Sequence, residues 1–196
     1  MKLSRTSLLL LLIQLAIVSS IAGKYLYQRW TCPRVWTRTV AYDPELVMRG
    51  RYLSLRLLVD GCGRIQPPPF VKEDPASPKY SAPWFIQSQG ERYMGRLEVK
   101  NGKLLVIPTT GPMGRNGFVR TNAEGDSILA LPGSACDALR LEQPVDFYIP
   151  EHAADPSLLK AGQELWIEVT IPSKGPPRPL QLALKQDGVW KPLAFQ

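Results

Sequence analysis

The chain has 196 residues, with 24 lysines and arginines against 17 aspartates and glutamates, for a net charge of +7. A hydrophobic fraction of 44% and a charged fraction of 21% exclude a wholly disordered chain. A multi-span membrane protein is also excluded, because only one stretch is apolar enough to enter a bilayer. One histidine and three scattered cysteines give no ligand set for a metal, so we expect no metal and no cofactor.

The N-terminus carries an uncharged run at residues 6–23 that is flanked by basic residues. A retained single-span anchor needs roughly 17–25 apolar residues, and aromatic residues such as Tyr25 just beyond the run are typical of a membrane interface. The alternative is a signal peptide cleaved before Gly23. We favour an anchor at residues 1–23, and both interpretations place residues 24–196 outside the cytoplasm.

Strand patterns begin directly after this segment. Residues 35–42 are rich in β-branched and aromatic side chains, which predicts a strand. Residues 51–60 alternate strictly between apolar and other side chains, the pattern of a half-buried strand. A proline-rich insert follows at about residues 64–90, where too many backbone donors are missing for a strand.

The second half of the chain predicts hairpins. Asn101-Gly102 and Asp187-Gly188 each favour a two-residue hairpin turn. Asp155, followed by a proline, predicts the start of one short helix. Further strands are predicted at residues 92–99, 103–108, 127–131, 144–149, 164–171, 180–185 and 189–195.

These elements predict a mainly β fold. We expect a small antiparallel sandwich or partly open barrel of about eight short strands with one short helix. It stands behind the N-terminal transmembrane helix, so that residues 1–23 form the anchor and residues 24–196 form an exported β-rich domain.

The three cysteines allow at most one intramolecular disulfide. A bond between Cys32 and Cys62 would close a loop of about 30 residues and stabilise the fold by roughly 3–4 kcal/mol. Small buried thiols are the alternative interpretation.

No catalytic motif is evident. His152, the only histidine, follows Glu151 at the end of a predicted strand, and together with Asp43 these are weak functional candidates. We favour a solvated loop histidine. A Ser–Lys dyad is a further open alternative. Its candidate serines are Ser54, Ser127 and Ser134.

Aromatic side chains in or beside the predicted strands are interpreted as core residues, with stacking on a ligand as the alternative. They are Trp84, Phe85, Phe147, Tyr148, Trp166 and Trp190.

The segment at residues 49–57, RGRYLSLRL, resembles the motif of the GDYXXLXY family of bacterial membrane-anchored proteins. Gly50, Tyr52 and Leu55 match the motif. Arg51 stands where the motif has aspartate, and Leu57 stands where it has its second tyrosine. The motif positions are Arg49, Gly50, Arg51, Tyr52 and Leu55.

The N-terminal apolar segment, residues 145–151 and the closing hairpin carry further similarity to that family. The resemblance implies no transferable catalytic activity. It implies an anchor in the bacterial inner membrane with a C-terminal β-domain in the periplasm or outside the cell. We interpret the motif as a packing device, with Leu55 as a core contact.

We therefore expect a non-enzymatic binding or scaffolding component of an envelope membrane complex. Its partner would be an integral membrane protein or a complex of them, and its basic surface would contact anionic lipid. An exported location argues against nucleic acid as a partner. The alternative is an exported hydrolase or small-ligand-binding protein that uses Tyr52, Glu151 and His152.

Overall fold

A computed structural model describes residues 5–41, 52–69, 90–109, 125–150 and 153–195. Within them the chain forms one helix, α1 (Arg5–Thr31), and ten strands. The strands are β1 (Arg34–Ala41), β2 (Tyr52–Val59), β3 (Glu91–Lys100), β4 (Lys103–Pro108), β5 (Asp126–Ala130), β6 (Leu139–Leu141), β7 (Val145–Tyr148), β8 (Gln163–Thr170), β9 (Arg178–Gln186) and β10 (Val189–Leu193).

The strands form one antiparallel sheet in the order β10-β9-β8-β1-β2-β6-β5-β3-β4, with β7 also paired to β2. β1 lies along one edge of β2, while β7 and β6 share its other edge. Just after β2, Asp60 forms a parallel bridge with Leu105 of β4, where the Asp60 amide donates to the carbonyl of Leu104 at 2.8 Å. The sheet is open, but its β4 end curls back toward β2, as in a partly open barrel.

The alternation predicted for β2 is present. Leu55, Leu57 and Val59 have no exposed surface, and the residues between them are half-buried on the opposite face. Buried side chains from both halves of the sheet, such as Ile128 of β5 and Ile167 of β8, join one apolar cluster. The described strands therefore share a single core, and the prediction of a mainly β fold is confirmed.

Both predicted hairpin turns are also confirmed. Asn101 and Gly102 have φ of 53° and 70°, and Asp187 and Gly188 have φ of 50° and 80°. Positive φ at both central residues is the type I′ geometry, whose twist matches that of the flanking strands. Glycine and asparagine-like residues adopt this conformation at low cost, which is why the sequence signal was clear.

The predicted short helix is wrong. The Asp155 carboxylate accepts from the Ser157 amide at 2.8 Å and from its hydroxyl at 2.7 Å, and the chain forms a turn there. Gly162, at φ of 77°, then leads into β8 within a few residues. The segment is too short to offset the cost of helix nucleation. Most of the predicted proline-rich insert lies outside the described residues.

The predicted disulfide is also wrong, because Cys62 is bonded to Cys136 and Cys32 is a free thiol. The Cα atoms of the bonded pair are 4.8 Å apart. β6 pairs with the end of β2, which brings the loop before β6 beside Cys62, and the Gly61 amide donates to the Cys136 carbonyl at 2.9 Å. Pairing of strands distant in sequence thus decides which cysteines meet.

We expect the Cys136→Ser substitution to lower the free energy of unfolding by about 2–5 kcal/mol, because the bond joins residues 74 apart and restricts the unfolded chain. Chemical denaturation with and without reductant measures this difference. In denaturant without reductant, a maleimide reagent should label one thiol in each chain. The matched control Cys32→Ser should leave stability nearly unchanged and remove that label. Three labelled thiols in the unreduced protein would contradict the assignment.

Candidate functional site

The functional residues predicted from the sequence divide into two groups. Tyr52 and Leu55 lie on β2, within the described part of the chain. The candidates outside the described residues are Asp43, Arg49, Gly50, Arg51, Glu151 and His152. The alternative of a hydrolase or ligand-binding site that uses Glu151 and His152 therefore stays a prediction.

The two described motif residues point to opposite faces of β2. Leu55 is fully buried in the core, whereas Tyr52 is 60% exposed. Tyr52 pairs in register with Tyr148 of β7, which is equally exposed, and their rings meet edge to face with centroids 5.6 Å apart. The pair forms an exposed aromatic surface, which we call the tyrosine surface. It lies beyond the end of β1 that is distant from α1, because β1 and β2 are antiparallel.

Below the tyrosine surface, the outer face of β2 becomes polar. Ser54 donates a hydrogen bond to Oδ1 of Asp146, directly across the strand pair. Arg56 and Arg140 follow on the same face. Burial and repulsion by Arg56 both lower the pKa of Arg140 from its ordinary value. Two neighbouring guanidinium groups make this part of the face a site of concentrated positive charge.

The serines suggested for a Ser–Lys dyad donate their hydroxyl protons to oxygen atoms and not to a lysine. Ser127 donates to Oε2 of Glu142 at 2.5 Å, and Ser134 donates to the carbonyl of Leu131 at 2.8 Å. With the bond from Ser54 to Asp146, each of the three hydroxyl protons points to a carboxylate or a carbonyl oxygen. In the part of the chain that the structure describes, no group of three or more His, Cys, Asp and Glu side chains is placed to hold a metal ion.

The end of the sheet nearest α1 contacts the last residues of the helix and the link to β1. The Ile171 amide donates to the Pro33 carbonyl at 3.0 Å, and the Arg34 side chain donates to the Arg29 carbonyl at 2.8 Å. The guanidinium of Arg178, at the start of β9, lies 4.0 Å from the centroid of the Tyr25 ring. The ring of Tyr25 thus contacts the β-domain, although the last two turns of α1 are largely exposed. We call residues 24–34 and 171–178 together the helix-proximal end.

The helix-proximal end is strongly basic. Residues 24–34 contain three lysines and arginines, residues 171–178 contain two more, and neither segment contains an acidic residue. A cavity of about 580 Å³ opens between residues 171–177 and the neighbouring strands, and its polar lining includes Arg96, Lys174, Gln143 and Asp126. Burial raises the pKa of Asp126 above its ordinary value.

Three tryptophans form a cluster on the outer face of β1, β8 and β10, which we call the tryptophan cluster. The ring of Trp190 lies 5.5 Å from that of Trp36 and 4.9 Å from that of Trp166, centroid to centroid. Trp190 is 42% exposed and Trp166 is half-buried, so the interpretation of these rings and of Tyr148 as core residues is wrong.

The other aromatic side chains interpreted as core residues have different outcomes. Phe147 is partly buried and packs against the core, as predicted, whereas Trp84 and Phe85 lie outside the described residues. Tyr93, 7% exposed, is the aromatic side chain among the buried residues of the described core.

Comparison of the chain with protein-family models, with curated proteins and with solved structures finds no match. The resemblance to the GDYXXLXY family therefore stays a prediction from the sequence.

We expect Leu55→Ala to lower the free energy of unfolding by about 2–5 kcal/mol, because it removes a fully buried side chain from the core. Tyr52→Ala lies on the same strand but on the exposed face. Apart from the loss of the ring contact with Tyr148, it should lower the free energy of unfolding by less than about 1 kcal/mol. Urea denaturation of the two variants measures the contrast. An equal loss in both variants would contradict the separation of the motif into a core position and a surface position.

We expect Asp126→Asn to raise the free energy of unfolding at pH 7. The raised pKa means that this carboxyl favours the fold while it is protonated, and that the benefit is lost as the pH rises from the unfolded value of 3.8 through the folded pKa. The gain in the variant should therefore shrink toward zero as the pH falls below 3.8. Thermal unfolding across pH 3 to 8 tests this, with the exposed Glu98→Gln as control. A gain independent of pH would contradict it.

Proposed function

We propose that this chain is a single-span, membrane-anchored, non-enzymatic protein that binds or supports another component of the bacterial envelope. Its β-domain lies on the outer side of the inner membrane, and its partner is an integral membrane protein or a complex of them. One observation carries the proposal: an apolar helix of 27 residues has an unburied 18-residue window, and its C-terminal end leads directly into the first strand of a β-domain.

The dimensions of α1 support the anchor. At about 1.5 Å per residue, 27 residues extend for roughly 40 Å, against about 30 Å for the hydrocarbon of a bilayer. The most apolar window of 18 residues within Thr6–Thr31 has a mean hydropathy of 2.1, and none of that window is buried. Apolar surface of this extent is stable only against lipid or against helices of another protein. If the chain were cleaved before Gly23, the part of this helix that is removed would be a signal peptide.

The residues at the end of α1 support a position at the membrane surface. Tyr25, Tyr27 and Trp30 are exposed in the last two turns, and aromatic rings of this kind favour the headgroup region. The basic residues of the helix-proximal end lie at the same level. Each basic residue near an anionic surface contributes about 1 kcal/mol of attraction. Contact with anionic lipid headgroups therefore accompanies the anchor in this proposal.

The disulfide supports an exported domain. Disulfide bonds persist in oxidising compartments such as the bacterial periplasm and are rare in the cytosol. Cys62 and Cys136 are bonded across two neighbouring loops of the β-domain, on the C-terminal side of α1. The proposal accordingly places the short N-terminal tail in the cytoplasm and the domain outside it.

The tyrosine surface supports binding of a partner beyond the membrane surface. Tyr52 and Tyr148 are both 60% exposed, and paired exposed aromatic rings are enriched where proteins bind one another. β1 extends for about 26 Å from the helix-proximal end, so the tyrosine surface lies well away from the lipid. A partner with its own exported domain would reach it there.

Co-purification from gently solubilised native membranes tests the proposal. We expect the full chain to bring down a stoichiometric membrane protein, identified by mass spectrometry. A chain in which residues 6–23 are replaced by a leucine–alanine helix of equal length should remain in the membrane but recover less of that partner. Tyr52→Ala combined with Tyr148→Ala should also reduce recovery, with the exposed Glu98→Gln as matched control.

Two further measurements test the membrane anchor independently of the binding of a partner. Intact mass should correspond to the full chain of 21.9 kDa, and alkaline carbonate should leave the protein in the membrane fraction. A mature protein that begins at Gly23 and dissolves in carbonate would reject the anchor. A full-length anchored protein that purifies alone in every preparation would reject the scaffold.

A further inference from the structure

A narrow cleft lies beside the tryptophan cluster, on the outer face of the sheet. Trp36 of β1 and Trp166 of β8 form its apolar walls, and Lys103 at the start of β4 closes one side. Its volume is about 170 Å³. At roughly 30 Å³ for each molecule of liquid water, that volume corresponds to about six waters. The cleft is therefore sized for one small ring and is smaller than the pockets that enclose drug-sized ligands.

The charged side chains that line the cleft cancel in sum. Arg38 and Lys103 supply two positive charges, and Asp137 and Asp60 supply two negative charges. Nζ of Lys103 lies 3.7 Å from Oδ2 of Asp60. Nη2 of Arg38 lies 3.5 Å from Oδ2 of Asp137, and its Nη1 lies 3.7 Å from Oε1 of Glu164, just outside the cleft. Lys185, beside the ring of Trp166, offsets the charge of Glu164. Because the charges balance, the cleft gives no net attraction to an anion such as phosphate.

These separations match a hydroxyl group better than a charged ligand. Direct hydrogen bonds between nitrogen and oxygen are about 2.7–3.2 Å long, so the guanidinium of Arg38 and the carboxylate of Asp137 attract each other without a short bond. A hydroxyl both donates and accepts. Placed against this pair, it accepts from the guanidinium and donates to the carboxylate. Several hydroxyls on one ring would extend the same pattern to Lys103 and Asp60.

The aromatic walls already have a cation of their own. Nζ of Lys185 lies 5.2 Å from the ring centroid of Trp166 and 5.6 Å from that of Trp190. This lysine takes the cation–π position on both rings, which disfavours a cationic ligand there. The indole carbons of Trp36 and the remaining ring surface of Trp166, both of which line the cleft, are left for apolar C–H groups. The indole N–H of Trp166 is turned to Glu164, to which it donates at 3.0 Å.

We propose that this cleft binds one ring of an uncharged saccharide. A sugar ring has apolar C–H faces and a rim of hydroxyls, and the cleft pairs indole walls with balanced donors and acceptors. The C–H face packs against Trp36 and Trp166, and the hydroxyl rim bonds to Arg38 and Asp137. The site belongs to the β-domain alone, so it does not depend on the membrane anchor or on the protein partner proposed above.

The test uses the full chain in a zwitterionic amine-oxide detergent, because alkyl glycoside detergents carry the proposed ligand. Saturation-transfer NMR is recorded with two probes, methyl β-glucoside and N-acetylglucosamine. We expect saturation of the ring C–H protons of at least one probe. Trp166→Ala should weaken its binding about three- to tenfold through loss of ring contact. Asp137→Asn, at an exposed position, should weaken binding while the fold is retained.

The matched control is Leu158→Ala, which shortens an exposed apolar side chain that does not line the cleft and should leave binding unchanged. Circular dichroism checks each variant, and if Trp166→Ala fails to fold, Asp137→Asn decides by itself. Equal binding by the unmodified chain and both cleft variants would overturn the proposal. So would absence of saturation for both sugars, or a saturable response to choline or inorganic phosphate in place of one to sugars.

Discussion

The pairing of β2 on both of its edges is the constraint on which the described β-domain depends. β1 lies on one edge, β7 and β6 share the other, and the bridge at Asp60 brings β4 back to the same strand. The inward side chains of β2 are buried, and those of Leu55 and Leu57 have no exposed surface. A register shift of one residue would turn this face to water, so the strands on either side are held to one alignment. The disulfide between Cys62 and Cys136 then fastens the loops at the end of that strand.

This arrangement separates two chemically different ends of one sheet. At the start of β1, the chain has just left an apolar helix, and the surrounding segments carry basic residues without acidic ones. Arg178 contacts Tyr25 of the helix, and Ile171 bonds to Pro33 in the link between the helix and β1. At the start of β2, the exposed rings of Tyr52 and Tyr148 face solvent. The proposed function uses both ends: the basic end beside the apolar helix would lie at the membrane, and the aromatic end would bind the partner.

The outer face between these ends is not a uniform polar surface. The tryptophan cluster lies over Ala183, a fully buried residue that pairs with Trp166 across β8 and β9. These large rings bury apolar surface on the outer face of the sheet, in addition to the surface buried in the core. A cleft that Trp36 and Trp166 line, with balanced charge, lies beside them. The same residues therefore stabilise the sheet and define the chemistry of the proposed saccharide site.

Local patterns determined much of the secondary structure. Strict alternation marked β2 and β8, and positive-φ residues marked both type I′ turns, because these signals act over a few neighbouring residues. The apolar helix was equally readable from its length. Only tertiary pairing decided that Cys62 meets Cys136, that three residues at Leu139–Leu141 form a strand, and that Trp166 and Tyr148 lie outside the core. Period-two alternation tells which side chains share a face of a strand. Which of the two faces is buried depends on packing against strands that are distant in sequence. The cleft that Trp36 and Asp137 line together depends on the same long-range pairing.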